Sequence, residues 1–365
     1  MSELLAGLVA SGLVSIGFVS GWIAFFYRRR VPAAQNLTQK LPPVSLIIPA
    51  RNEAANLPKL LESLRAQDGI EMEWIVVDDH SVDATSEIAG RAGARVVAAR
   101  DLPEGWTGKN SACFQGAEAA VHEWLCFVDA DAEFQAGGLK RLLSYGVRGP
   151  AGSAAVSVLP YHQMQSPYEQ FSAFFNLLMA MGTEAFSLGG EHKQKLVGQC
   201  LLLRREDYKR VEGHQSVKGE ILENFFLSRK LRELGVDCQT FAGQGVLHFR
   251  MYPEGFSQLV EGWSKAFVRG LGQTSPQMMA LTIVWITGAM TAMLALVLVP
   301  GLLSVTLYLL VAVQFGIFLR RVGSYSWLTA FLFPLPLCFY QVLFFSSLLS
   351  ARRRKGVTWR GRTLP

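Results

Sequence analysis

Asp129 and Asp131 stand one residue apart in FVDADAEF, directly after the apolar run WLCFV. In a strand, residues i and i+2 point to the same side. At a strand end, relaxed backbone lets two such carboxylates reach one hard cation. Magnesium takes oxygen ligands and is usually held by one or two carboxylates together with substrate phosphates. The same residues would also serve as an acidic turn capping a following helix. A second acidic pair, Asp78-Asp79, ends another apolar run, EWIVVDD.

The elements that must position these residues follow from periodicity. VSLIIPA (Val44–Ala50) is apolar and β-branched, the mark of a buried strand. NEAANLPKLLESLRAQ sets Leu57, Leu60, Leu61 and Leu64 at helical spacing. EWIVVDD is a second strand, followed by SVDATSEIAGRAG as a helix with Ser81 as its N-cap. ARVVAA is a third strand, GKNSACFQGAEAA a helix and WLCFVDA a fourth strand. That βαβαβαβ order predicts an α/β fold with a mainly parallel sheet and helices on both faces. Ligands of such sheets bind beyond the carboxyl ends of the strands, where Asp78-Asp79 and Asp129-Ala130-Asp131 both fall. Two acidic strand ends on one rim point to a metal and a phosphorylated ligand. No GxGxxG or GxxxxGK[ST] loop is present, so metal and side chains must meet the phosphates.

The ends of the chain have another character. Half of the 365 residues are hydrophobic and 18% are charged, against about a quarter charged in ordinary soluble domains. Leu4 to Tyr27 carries no charge and runs into Arg28-Arg29-Arg30. About 20 apolar residues cross a hydrocarbon core as a helix. The basic residues follow this run, which favours an uncleaved anchor over a signal peptide and puts what comes next in the cytoplasm. Met278–Leu298 and Leu302–Leu319 predict a transmembrane hairpin turning at Pro300-Gly301. Trp327–Leu349 is interrupted by Pro334 and Pro336 and predicts a bent helical hairpin that dips in and returns. Arg320-Arg321 and Arg352 to Lys355 would then share the cytoplasmic side. Phe171–Phe186 predicts a helix in the headgroup layer with one face toward a lipid. The net charge of +6 is assigned to arginines beside membrane segments, not to nucleic acid. Five cysteines without CxxC or metal spacing predict reduced thiols in a cytosolic domain.

IIPARNEAANL, VVDDHSVDAT, GWTGKNSACFQG and FVDADAEF, in this order and spacing, resemble the nucleotide-sugar domain of family 2 glycosyltransferases from Val44 to Arg250. PYEQFSAFFNLL, FRMYPEGF, EGWSK and the terminal VTWRGR resemble the branch acting on carotenoid acids of the diaponeurosporenoate type. The resemblance implies a GT-A fold binding a UDP-sugar. Pro49, Ala50 and Glu53 would frame the uridine, with Asp79, beside Asp78, toward the uracil. Lys109 would approach the diphosphate. Asp129 and Asp131 would hold ribose, diphosphate and a divalent cation, Mg or Mn. The third acidic element of the family usually reads ED. It is matched here to GEILENFF, with Glu223 chosen over Glu220 because a helix of period Leu222, Phe226 begins there. Glu223 and Asp131 are the implied catalytic residues.

Further readings concern the rest of the chain. Trp263 would line the acceptor mouth or anchor at the membrane interface. His248 is a further metal ligand or a hydrogen-bonded structural residue. Arg250 and Lys265 would meet headgroups or the diphosphate. Trp359 to Arg362 would pack near the nucleotide site or form a plain juxtamembrane tail. The Q-x-x-R-W stretch of processive and ceramide enzymes is not matched by Gln258 to Trp263, which argues against polysaccharide synthesis. The expected organisation is an anchor (1–30), a linker (31–41), a GT-A domain (42–250), an interfacial segment (251–276), transmembrane helices (277–350) and a basic tail (351–365). The expected protein is a multi-pass cell-membrane enzyme with a cytoplasmic catalytic domain. It would transfer glucose with inversion from a UDP-sugar to a carotenoid carboxylic acid. Alternatives are a hydroxyl lipid as acceptor (hopanoid, diacylglycerol or ceramide), or a non-catalytic nucleotide-sugar-binding scaffold.

Overall fold

The computed structural model describes residues 2–33, 40–148, 154–190, 194–220, 222–270, 274–353, 357–359 and 362–364. In chain order the elements begin with α1 (Ser2–Ala24), β1 (Val44–Ala50), α2 (Leu57–Arg65), β2 (Met72–Asp78), α3 (Thr85–Arg91) and β3 (Arg95–Ala98). Next come α4 (Gly108–Ala119), β4 (Trp124–Val128), β5 (Ala132–Phe134), α5 (Gly138–Val147), β6 (Ala154–Leu159) and β7 (Tyr161–His162). They are followed by α6 (Ala173–Gly182), β8 (Cys200–Arg204), α7 (Arg205–Arg210), α8 (Glu223–Glu233), β9 (Asp237–Ala242) and β10 (Leu247–Phe249). The chain ends with α9 (Phe256–Gly270), α10 (Pro276–Leu298), α11 (Leu302–Val322), α12 (Trp327–Phe331), α13 (Pro334–Arg353), β11 (Val357–Trp359) and β12 (Arg362–Leu364). Two compact units result: Arg28–His162 with Gly190–Arg250, and Met1–Tyr27 with Gln163–Gly189 and Met251–Pro365.

The first unit is built on a seven-stranded sheet of order β3-β2-β1-β4-β8-β6-β9. β8 runs antiparallel to both of its neighbours, and the other pairings are parallel. Apolar side chains fill both faces. Leu57, Leu60, Leu61 and Leu64 of α2 and Leu139, Leu142 and Leu143 of α5 pack on one. Ala112 and Cys113 of α4 and Leu227 and Leu231 of α8 pack on the other. The chain leaves β1 toward β2 on one side and meets β4 on the other, so β1/β4 is where the strand order reverses, the place such sheets bind ligands. Pro49 sits in this central strand, where proline is normally excluded. It is tolerated because β4 pairs with β1 only as far as Ile47↔Phe127, while β2 continues to Ala50↔Asp78. Val44 N–H donates to Glu71 O on the β2 side, so by alternation the N–H that Pro49 lacks would point past the end of the β4 pairing.

Arg29 and Arg30 run along the edge of this sheet. Arg30 bridges Ala242 at the edge strand β9, and Ala242 N–H donates to Arg29 O (2.8 Å). Arg29 Nη2 donates to Gln239 Oε1 (2.7 Å) and its guanidinium lies 5.8 Å from the Phe241 ring centroid. Backbone pairing along an exposed sheet edge is the physical reason, since it covers donors and acceptors that would otherwise stay open. The proposed linker falls mostly on residues 34–39, outside the described residues.

In the second unit, among the described residues, three helices are long and apolar enough to cross a membrane: Leu4–Ala24, Pro276–Leu298 and Leu302–Val322. α1 and α10 approach closely at two glycines, where a Cβ on Gly17 would lie 2.7 Å from Gly288 Cα. Gln314 joins three helices, accepting from Trp285 Nε1 (3.1 Å) and donating to Phe18 O (2.6 Å). Such polar cross-links are a common adhesive between apolar helices.

Two sequence expectations change here. Residues 171–186 do not form a helix with one face outward. Phe174, Phe175, Leu177, Ala180, Met181 and Phe186 are all buried, with Phe174 stacked on Phe315 and Phe175 on Trp263. Trp263 is 2% exposed, donates Nε1–H to Ser172 Oγ (2.9 Å) and stacks on Phe175 (4.5 Å). It is a packing residue of this unit, neither a mouth nor an interfacial anchor. The last apolar run breaks at residues 332–333, just ahead of the bend expected at Pro334 and Pro336, leaving helical arms of 5 and 20 residues. Both prolines lie in the first turn of α13, where a missing N–H costs nothing. The reading of Trp359 to Arg362 includes residues 360–361, outside the described residues, as do the side chains of that segment and of Lys265.

Candidate active site

The loops after β1 and β2 are laced together. Asn52 N–H donates to Ser81 Oγ (2.9 Å), Val82 N–H to Asn52 Oδ1 (2.9 Å), Ala54 N–H to Asp83 Oδ2 (3.1 Å) and Glu53 N–H to Thr85 Oγ1 (2.8 Å). Asn52 and His80 take left-handed backbone (φ 55° and 58°) to make these turns. Ser81 is therefore not the N-cap of α3. Its hydroxyl is used by the neighbouring loop, and the helix starts four residues later at Thr85. Asp78 is also spent locally, accepting from Ser81 N–H (3.0 Å) and Ser86 Oγ. It shapes the loop and does not present a free carboxylate. Asp79 pairs with Arg51 (3.5 Å) and His80 (3.2 Å) on the rim. Glu53, 8% exposed, accepts from Asn56 Nδ2 (2.9 Å).

Lys109 is the centre of the second cluster. It lies in the first turn of α4, whose N-cap Thr107 accepts from Asn110 N–H (3.2 Å). Lys109 Nζ stands 2.6 Å from Asp129 Oδ1 and 3.9 Å from Glu223 Oε1, and donates to Gly198 O (3.3 Å). Glu223 opens α8, and its Oε1 also accepts from Asn224 Nδ2 (2.8 Å). Burial opposes the charge on Lys109, but Asp129 and Glu223 outweigh it and hold the ammonium above its usual range. Burial raises the Glu223 carboxyl, with Lys109 acting against it. Asp131 is pushed up to about 7, first by burial and then by Asp129 and Glu53. Beyond the ends of the neighbouring strands β2, β1 and β4, carboxylates thus gather, with Lys109 between Asp129 and Glu223.

A family model described as Glycosyl transferase family 2 matches residues 45–212. The 4,4'-diaponeurosporenoate glycosyltransferase of Staphylococcus aureus strain USA300 is 35% identical over 348 residues, 92% of this chain and 92% of that protein. The chain belongs to glycosyl transferase family 2. The counterpart from strain MRSA252 is 35% identical over 350 residues, again covering 92% of each. The solved structure of a Pyrobaculum calidifontis mannosyltransferase in complex with GDP-Man and Mn2+ has a TM-score of 0.52 at 17% identity, covering 96% of this chain and 98% of that one. At that identity the likeness is one of fold, the GT-A fold. This family 2 glycosyltransferase is therefore an enzyme by kinship, and its carboxylates can be weighed as catalytic groups.

Asp129 and Asp131 are the residues that could hold a divalent cation. The like-charge crowding of Asp131 by Asp129 and Glu53 is what a divalent ion would relieve, so the donor set fits a hard metal. Among the described residues no group of three or more His, Cys, Asp or Glu is assembled for a metal, so a cation held by the two aspartates would take further oxygens from its substrate. His248 Nε2 lies 3.4 Å from Glu133 Oε2 and its Nδ1 3.2 Å from Gln135 Nε2, contacts of the kind a hydrogen-bonded structural histidine makes. The five cysteines are free thiols.

Two site residues escaped the sequence reading. One is Gly198, where a Cβ would come 2.8 Å from Glu223 Oε1 and 2.9 Å from Asn224 Nδ2, so that those side-chain ends would have to shift. Asn110, 1% exposed, donates through Nδ2 to the carbonyls of Val217 (3.0 Å), Lys218 (3.1 Å) and Glu220 (2.9 Å), tying down the segment before Glu223. The pairing of α4 with a segment 107 to 110 residues away leaves no local signal. Gly198→Ala is expected to lower kcat by about 10- to 100-fold through displacement of Glu223 and Lys109. Circular dichroism should find the helices intact. An unchanged kcat would mean that the close approach is not needed.

Proposed function

We propose that the enzyme moves a sugar, with inversion, from a UDP-sugar to a membrane-dissolved carotenoid carboxylic acid. The observation carrying this reading is Lys109 bridging Asp129 and Glu223, supported by the 35% identity to an enzyme named for diaponeurosporenoate. Asp79, Pro49, Ala50 and Glu53 would receive the uridine on the β1/β2 rim. Asp129 and Asp131 would hold a divalent cation, Mg or Mn, which when bound neutralises charge on the diphosphate leaving group. Lys109 adds a fixed positive charge at the same place, aimed where negative charge grows as the sugar–phosphate bond breaks. Glu223 faces the sugar from the α8 side, where it would orient the acceptor. An ionised carboxylate needs no base at neutral pH. The three apolar helices would set the enzyme in the cell membrane as a multi-pass protein, with the first unit on the cytoplasmic side where the nucleotide sugar is made available.

Glu223→Gln separates the acceptor chemistries. It keeps size and most hydrogen bonds but cannot take a proton. With 4,4'-diaponeurosporenoate as acceptor the loss in kcat is expected to be about tenfold. With a hydroxyl lipid it would be nearer about 1,000-fold, since general base catalysis is then lost. Mass spectrometry of membranes supplied with UDP-glucose and each acceptor reads both the product and the loss. Formation of a glycosyl ether or glycoside of a hydroxyl lipid, with no glycosyl ester of the acid, would overturn the carboxylate reading.

A further inference from the structure

Gln199 has no role in the site as described so far, yet the sheet aims it there. β4 and β8 are antiparallel with Phe127 opposite Leu201 and Val128 opposite Cys200. The ladder goes one pair further, since Asp129 N–H donates to Gln199 O (3.0 Å). Directly opposed residues of an antiparallel pair put their side chains on the same face. Phe127 and Leu201 confirm which face that is, because both pack in the cluster that contains Ala112 and Cys113 of α4 and Leu227 of α8. Two residues further along each strand, Asp129 and Gln199 therefore extend toward the α4/α8 side, the side of Lys109 and Glu223.

The Gln199 side chain arrives with a free hydrogen-bonding group. Its Oε1 is shielded from solvent and has no hydrogen-bond partner among the described residues. Asn224 repeats the pattern: Nδ2 is committed to Glu223 while Oδ1 is buried without a partner. Gln199 follows Gly198 in the chain, and a Cβ on Gly198 would lie 2.9 Å from Asn224 Nδ2 and 2.8 Å from Glu223 Oε1. Buried amide oxygens are normally paired, and an orphan in a native site calls for an explanation such as an absent ligand. Beside a carboxylate pair and a lysine that meet charged groups, a neutral acceptor suits an uncharged hydroxyl donor. A hexose supplies several.

We infer that Gln199 is a recognition residue for the sugar being transferred, its amide oxygen accepting from a hydroxyl of the donor hexose. The inference rests on the nucleotide-sugar reading above, and it assigns donor choice to the Gly198-Gln199 turn while leaving the nucleotide to the β1/β2 rim. Gln199→Met keeps the length and shape of the side chain and removes the amide. The test is calorimetric titration of the full chain in lipid nanodiscs with Mn2+ present, using UDP, UDP-glucose, UDP-galactose and UDP-N-acetylglucosamine. In the variant, UDP should bind within about twofold of wild type, while the preferred UDP-sugar weakens by about tenfold, the value of one neutral hydrogen bond. The spread among the three sugars should narrow. Equal weakening of UDP and UDP-sugar, or no weakening of either, would overturn the assignment. Failure of the wild-type protein to bind UDP would instead overturn the donor reading itself, and is seen before any variant is made.

Discussion

Asp131→Ala is expected to abolish sugar transfer, with a loss in kcat/KM of about 1,000-fold or more, and to leave both units folded. Asp131 forms no salt bridge with a described residue within 4.0 Å, and its carboxyl is crowded by Asp129 and Glu53, so removing it relieves repulsion in the resting enzyme. What is lost is a ligand that counts only when cation and diphosphate arrive. The same crowding sets a pH dependence. With its carboxyl pushed up to about 7, Asp131 holds a proton that a cation must displace. Apparent cation affinity should fall about tenfold for each pH unit below that value. For the metal-free fold the sign is opposite to that of a salt-bridged aspartate. A raised folded pKa contributes stability that is present below the unfolded value and is lost as pH rises through about 7. Added Mn2+ should then raise the Tm more at pH 8 than at pH 5. Transfer at full rate in excess chelator, or a Tm shift independent of pH, would remove the metal role from this pair.

Some of this site was legible because local chemistry and local structure coincide. β1 keeps the bounds read from VSLIIPA, since a β-branched run between polar turns has few other solutions. Asp129 and Asp131 stand where an apolar strand ends, and Glu223 stands at a helix start that its apolar period marks. The failures share a cause. Ser81 looked like a cap because the residues that use its hydroxyl lie 29 positions upstream. Residues 171–186 looked interfacial because Asn176 and Thr183 are polar. Asn176 instead donates to Tyr325 Oη (2.6 Å) and Thr183 bonds Ala180 O (2.7 Å), so both are satisfied inside. Gly198, Gln199 and Asn110 were invisible for the same reason. Their parts are set by β4 meeting β8 and by α4 meeting the segment before α8, contacts between residues far apart in the chain.

Lys109→Met is expected to lower kcat/KM by about 100- to 1,000-fold, the scale of losing one preorganised charge at a developing anion. Methionine nearly matches the length of the lysine stem, so α4 should still pack. What changes is that Asp129 and Glu223, 2.6 and 3.9 Å from the ammonium, lose their shared cation. Lys109 at present lowers the Glu223 carboxyl against the burial that raises it. Without the lysine, burial acts alone and Glu223 should hold its proton to higher pH. The acid limb of the pH–rate profile should therefore move upward in the variant as well as the rate falling. UDP binding should weaken too, because the diphosphate loses its fixed partner. These readouts distinguish a catalytic lysine from a tether between α4, β4 and α8. A tether would lower the Tm and leave the pH limb and UDP affinity of the folded fraction where they were. Finding that pattern would move Lys109 out of the reacting centre and leave the diphosphate to Asp129, Asp131 and their cation.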